Sequence, residues 1–125
     1  MRKFLLLSSA VLSMFAVGCV SAEDVCESGI DTTCNRIHEC YTKAELDASG
    51  LSSVFGTSAA DCKTKQTALA KCSEKKNTDE LCTDEDAGKK YDLGNASNCA
   101  DGIKKLSCAD FKAAKFPAVC DQICK

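Results

Sequence analysis

Cysteine is the residue type whose number and spacing say most about the chemistry of this chain. The sequence has eleven cysteines among 125 residues, and ten of them follow residue 22. An even number allows five disulfides with no thiol left over. Because disulfides form and persist in oxidising compartments, this pattern indicates an exported protein. The ten residues are Cys26, Cys34, Cys40, Cys62, Cys72, Cys82, Cys99, Cys108, Cys120 and Cys124.

Other chemistries fit the sequence less well. A thiol oxidoreductase needs a C-x-x-C pair, and zinc sites in cysteine-rich proteins favour the same close pairing, but no C-x-x-C occurs here. Cys34 and His38 share a helical face, yet His38 is the only histidine and we expect it on a helix surface. The acidic run 84–86 is typical of a helix N-terminus, where carboxylates interact favourably with the helix dipole. We therefore expect no catalytic residue, no enzymatic activity, no metal site and no cofactor.

The first 22 residues have the pattern of a secretory signal. Two positive residues follow Met1, and no charged residue then occurs from position 4 to position 22. The apolar stretch is diluted by serines and falls short of the roughly 20 strongly apolar residues that a membrane-spanning helix needs. The modest side chains of Val20, Ser21 and Ala22 predict cleavage after Ala22.

A second cleavage site overlaps the first. Residues 16–19 read Ala-Val-Gly-Cys, with a small residue directly before a cysteine where the apolar run ends. This stretch resembles the lipobox of bacterial lipoprotein precursors, although Ala16 stands where that family usually has leucine. The resemblance implies that the leader is cut before Cys19 and that the diacylated Cys19 becomes the mature N-terminus. Under either cleavage Cys19 stays outside the disulfide framework, so the cysteine count does not choose between the two sites.

Residues 23–125 are expected to form a single cysteine-rich helical domain. Only 16 of these 103 residues are Leu, Ile, Val or Phe, which is few for a stable core. Disulfides offset this shortage, because each typically stabilises a fold by about 2–4 kcal/mol. The 14 Lys and Arg and 18 Asp and Glu give a net charge of −4 and are mixed along the chain. We therefore expect a solvated surface and no nucleic-acid partner.

The spacing of apolar residues and cysteines predicts an all-α fold, a small disulfide-rich bundle of short helices with long polar loops. These residues recur at three- and four-residue intervals, and the long alternating runs typical of strands are missing. A last helix is expected to begin at Pro117, with Cys120 and Cys124 on one face. Helix caps are expected at Thr32 or Thr33, at Ser58, at Thr83 and at Ser107.

Disulfide connectivity does not follow from the sequence alone. One geometric hypothesis is a hairpin of two antiparallel helices, centred on residues 51–54 and tied rung by rung. It pairs Cys40 with Cys62, Cys34 with Cys72 and Cys26 with Cys82, and it leaves the other four cysteines to a C-terminal unit.

The stretch 47–58 is expected to be a loop, because Gly50, Gly56 and many serines interrupt the helical pattern. Its apolar residues Leu51, Val54 and Phe55 either cover the core beneath the loop or bind a protein target. The first role is the more common one for apolar residues in such a segment, and the second is the binding hypothesis that the sequence offers.

These features predict a small exported protein, and two functions stay open. The first is a lipoprotein anchored in a bacterial cell envelope, in the periplasm or at the outer membrane, with a binding or structural role. The second is a freely secreted inhibitor or effector that binds a protein target. Residues 95–97, Asn-Ala-Ser, also fit the acceptor pattern for N-glycosylation, which matters in a eukaryotic host.

Overall fold

The computed structural model describes residues 20–125, and it confirms the all-α, disulfide-rich fold. Among these residues the only β-type pairing is an isolated bridge between Tyr91 and Cys124. None of their helices is both long enough and apolar enough to cross a membrane. The α-helices are α1 Ala22–Cys40, α2 Lys43–Ala48, α3 Leu51–Phe55, α4 Ala59–Ala70, α5 Leu93–Lys105 and α6 Cys108–Lys112. Short 3-10 segments lie at Cys72–Glu74, Thr78–Leu81, Asp84–Asp86 and Ala118–Gln122.

Helix α1 begins earlier than the sequence pattern predicts. The Ser21 hydroxyl accepts the Asp24 N–H at 3.0 Å, and the Asp24 carboxylate accepts the Ser21 N–H at 3.3 Å. This reciprocal pair is a capping box, which satisfies two backbone donors at the start of a helix. The predicted cap at Thr32 or Thr33 is wrong. Thr32 is buried inside the helix, and the Thr33 hydroxyl donates to the Gly29 carbonyl one turn back.

Two of the other predicted caps are confirmed and one is wrong. Ser58 accepts the Asp61 N–H at 3.1 Å to start α4, and Ser107 accepts the Asp110 N–H at 3.0 Å to start α6. Thr83 makes no such bond, and only a 3-10 turn follows it. Helices α4 and α6 both contact α1, and each is also joined to α1 by a disulfide. The 3-10 segment after Thr83 has no buried residue that could hold a longer helix in place.

The stretch 47–58 is not a continuous loop, because residues 51–55 form the short helix α3. Gly50 and Gly56 lie at either end of α3 with φ of 73° and 70°, in the left-handed region that glycine adopts without strain. The two positions differ in their surroundings. A Cβ at Gly50 would meet open space, whereas a Cβ at Gly56 would lie 2.1 Å from the Asp61 carboxylate oxygen.

The small core joins the C-terminal end of α1 to α2 and α6. Its buried members are Ile37, Cys40, Leu46 and Phe111, and partly buried side chains from α3 and α5 pack around them. Arg36 lies along this core, with its guanidinium 5.7 Å from the centre of the Phe111 ring. Such a distance is within the range of a cation–π interaction, so the arginine contributes packing as well as charge.

The predicted disulfide rungs are wrong, although α1 and α4 do form the expected antiparallel pair. Cys62 bonds to Cys34 and Cys72 bonds to Cys26, so two rungs are displaced by one cysteine. The third rung is absent, because Cys82 bonds to Cys124, and Cys40 bonds to α6. The Cys82–Cys124 and Cys99–Cys120 bridges hold the C-terminal half together. The five pairs are Cys26–Cys72, Cys34–Cys62, Cys40–Cys108, Cys82–Cys124 and Cys99–Cys120.

A helix does follow Pro117, as predicted, but it is the 3-10 segment Ala118–Gln122, which ends before Cys124, and Cys124 forms the isolated bridge with Tyr91. Cys120 is bonded to α5 while Cys124 is bonded to Cys82, so the two cysteines point to different elements and cannot share one helical face. Lys125 exchanges two backbone hydrogen bonds with Lys90, at 2.8 and 3.0 Å. The last residue is therefore tied into the fold.

Candidate functional site at the N-terminal end of the first helix

The predicted lipidation site, Cys19, lies outside the described residues, and the described chain begins at the next residue, Val20. Val20 is 60 % exposed although it is apolar, and Ala22, the first residue of α1, is only 6 % exposed. Between them Ser21 makes the capping box. The fold thus includes residues directly adjacent to Cys19.

A groove lies beside Val20, between α1 and α5, and encloses about 350 Å³. We call it the N-terminal groove. On its α1 side lie Asp24 and Ser28, and Asp101 and Lys104 line its α5 side. Leu93, the first residue of α5, is 47 % exposed at its wall. The apolar lining consists of Val20, Val25, Tyr91, Leu93, Ala96 and Ala100.

Hydrogen bonds fix the segment that carries Tyr91 to the groove. The Asp79 carboxylate accepts the Tyr91 N–H at 2.9 Å and the Lys90 ammonium at 2.7 Å. The bond from Lys90, followed by the bond from the Tyr91 backbone, lowers the pKa of Asp79. Burial raises the pKa of the Tyr91 phenol, which agrees with the half-buried position of its ring in the groove wall.

The start of α5 is fixed by a second carboxylate. Asp92 accepts the Asn95 N–H at 2.8 Å as the helix cap, and it pairs with the Lys125 ammonium at 2.6 Å. The Lys125 bond, followed by the Asn95 bond, lowers the pKa of Asp92. Leu93 therefore lies at a helix end that Asp92 fixes through its bonds to Asn95 and Lys125. These bonds give this wall of the groove a defined position.

The three apolar residues of the predicted binding segment do not form one exposed patch. Leu51 and Phe55 pack against the core cluster and are only partly exposed. Val54 alone of the three is exposed, at 45 %. Their positions fit the covering role better than the binding role, because a protein interface usually needs several contiguous apolar side chains.

The residues considered for metal or acid–base chemistry are dispersed. His38 Nε2 lies 3.1 Å from the Phe55 carbonyl, and its neighbours Cys34 and Cys40 are both in disulfides. Within residues 20–125 no three His, Cys, Asp or Glu side chains are grouped to hold a metal ion. The acidic run at 84–86 forms a 3-10 turn, and its Asp86 pairs with Lys89 at 2.6 Å.

The Asn95 amide of the glycosylation pattern is engaged within the fold. Asn95 lies in the first turn of α5, and its Nδ2 donates to the Gln122 carbonyl at 2.8 Å. A glycan on Nδ2 would replace one of its two hydrogens next to this bond between α5 and the C-terminal segment. The structure gives Asn95 a role in packing.

Sequence reasoning did not identify the groove or the true start of α1. The signal for the start was present, since Ser21 and Asp24 have the spacing of a capping box, but these residues overlap the cleavage site predicted after Ala22. Tyr91 and Leu93 lie in a polar stretch without helical periodicity, and only the fold brings them beside Val25.

Comparison of the chain with protein-family models, curated proteins and solved structures found no match. The geometry of the molecule is therefore what bears on its function.

Proposed function

We propose that this protein is an exported lipoprotein of a bacterial envelope, in which a lipid on Cys19 holds the disulfide-bonded body at a membrane surface. Five disulfides point to folding in an oxidising, exported environment. The observation that best supports the lipid anchor is the capping box of Ser21 and Asp24, because cleavage before Cys19 keeps this cap and cleavage after Ala22 removes it.

Cleavage after Ala22 would remove part of the folded unit. It would delete the Ser21 cap and the buried Ala22, and it would put a positive α-amino group on Glu23, within the first turn of α1. Positive charge is unfavourable at the N-terminal end of a helix, where the dipole is itself positive. Cleavage before Cys19 leaves the cap and the first turn complete.

The same geometry makes the tether very short. After cleavage before Cys19, Val20 is the only residue between the lipidated cysteine and the helix cap. The Cα atoms of residues 19 and 21 are then at most about 7 Å apart. A body held this closely stays at the lipid surface, which suits a structural or binding role there.

Metabolic labelling tests the proposal. The full chain is expressed in a bacterial host supplied with a palmitate analogue, and the label and the mature N-terminus are measured for the natural sequence and for Cys19→Ser. We expect label on the natural protein, loss of label in Cys19→Ser, and an N-terminus at residue 19. Unlabelled protein beginning at Glu23 would refute the anchor.

That second outcome would favour the alternative of a freely secreted inhibitor or effector. Its binding hypothesis rests on residues 51–55, where Val54 is the exposed apolar side chain. Because Leu51 and Phe55 are turned toward the core, we rank this alternative second.

A further inference from the structure

We propose that the N-terminal groove lies against the bilayer, with Val20 and Leu93 in contact with the lipid surface. The inference rests on the proposed lipidation of Cys19, and it adds which face of the body meets the membrane. Both residues are large apolar side chains that water reaches, at 60 % and 47 % exposure, and both line the same groove.

The short tether leaves little choice of orientation. Since residue 19 can lie at most about 7 Å from Ser21, the anchored lipid must leave the body at the N-terminal end of α1. The groove begins at that end, because Val20, Asp24 and Val25 are among its lining residues. The opposite end of α1 is about 28 Å away for a helix of 19 residues.

The chemistry of the groove suits a lipid surface of low charge. Its lining combines apolar and polar side chains, and amphipathic surfaces of this kind meet the boundary between head groups and acyl chains. Asp24 and Asp101 are acidic and face this groove beside Lys104, and Glu23 is exposed close by. These carboxylates would be repelled by strongly anionic lipids, so the proposal commits to a mainly zwitterionic surface.

The chain has two tyrosines, and they can report separately on the two ends of α1. The sequence has no tryptophan, so tyrosine emission can be measured directly. Tyr91 lines the groove, whereas Tyr41 is the C-cap of α1 and carries the Lys112 ammonium 4.9 Å from its ring centre. Tyr41→Phe leaves Tyr91 as the only reporter, and Tyr91→Phe leaves Tyr41.

The test places each purified, lipidated single-tyrosine variant on phosphatidylcholine vesicles with brominated acyl chains, which quench nearby fluorophores. Relative to unbrominated vesicles, we expect Tyr91 emission to fall roughly twofold, since interfacial side chains reach the acyl boundary, and Tyr41 emission to stay unchanged. Leu93→Ser in the Tyr91 reporter should reduce the quenching. Val54→Ser is the matched control, because Val54 is similarly exposed but lies outside the groove, and it should leave the quenching unchanged.

The outcomes separate this inference from the proposed function. Protein that carries no lipid when it is purified from the bacterial host, or that does not remain with the vesicles, overturns the lipid anchor. Protein that remains bound while neither tyrosine is quenched, or while Tyr41 is quenched more than Tyr91, overturns the orientation and leaves the anchor standing.

Discussion

Shortening the chain at its N-terminus tests where the folded unit begins. Two soluble forms serve this purpose, one beginning at residue 19 with Cys19→Ser and one beginning at Glu23. The first keeps the Ser21 cap and the buried Ala22, and the second removes both. Both forms keep all ten cysteines of the body, so the disulfides cannot account for a difference in stability.

The expected loss of stability can be estimated from three contributions. Removing a serine cap costs about 1 kcal/mol. A new α-amino charge in the first helical turn costs about 0.5 kcal/mol, and the lost burial of the Ala22 methyl group costs about 0.8 kcal/mol. The sum is about 2 kcal/mol, and a substitute cap at Asp24 would reduce it.

Urea unfolding with the disulfides intact, followed by far-ultraviolet circular dichroism, measures this difference. We expect the midpoint of the Glu23 form to be lower by about 1–2 M, given the usual dependence of stability on urea. Ser21→Ala in the longer form isolates the cap and should cost about 1 kcal/mol, whereas Ser28→Ala at an exposed position within α1 should be neutral or slightly stabilising. Equal midpoints for the two forms would mean that the fold begins after Ala22, and the structural argument for cleavage before Cys19 would be lost.

Three further predictions concern the body. Replacing both Cys40 and Cys108 by serine opens a loop of 68 residues and should lower the free energy of unfolding by about 4 kcal/mol, as measured by urea unfolding. Gly56→Ala should cost clearly more than Gly50→Ala, for which the left-handed backbone alone predicts about 1–2 kcal/mol, and equal losses of thermal stability would contradict the steric argument. The hydrogen bond from the Lys112 ammonium, with those from Thr42, lowers the pKa of Glu45 from 4.5 to about 2. Because this folded-state pKa is depressed, the contribution of Glu45 is present above pH 4.5 and is lost as the pH falls toward 2, so the urea midpoint should drop over that interval and drop less in Glu45→Gln.

The fold class followed from local patterns, because helical spacing and serine caps are properties of short segments. Ser58 and Ser107 cap α4 and α6 as their sequences predict. The start of α1 could not be predicted in the same way. The residues around Ser21 fit both a cleavage motif and a capping box. The disulfide pairs also did not follow. Cys40 lies near Cys62 along the chain but bonds to Cys108, a choice made by packing between distant helices.

The candidate site was even less accessible from sequence. The groove forms where α1 and α5 come together. The segment around Tyr91 has no periodicity that indicates which helix it will face. The apolar segment 51–55 was the visible candidate, yet two of its three apolar side chains are used by the core. The sequence offered these side chains as an exposed binding surface, but in the fold two of them pack against the core. A chain with so few large apolar residues uses most of them internally.

The order of the disulfide partners along the chain has a consequence for how the protein matures. Every bridge encloses at least one other cysteine, so no bridge joins two cysteines that are consecutive in the sequence. A chain exported from its N-terminus meets the oxidant with Cys26 and Cys34 first, long before Cys108 arrives to bond Cys40. Bonds formed in order of emergence are therefore non-native, and they must be exchanged through thiolate attack among on the order of a thousand possible pairings. We therefore expect correct pairing to be faster where disulfides can be reshuffled than where an oxidant acts alone.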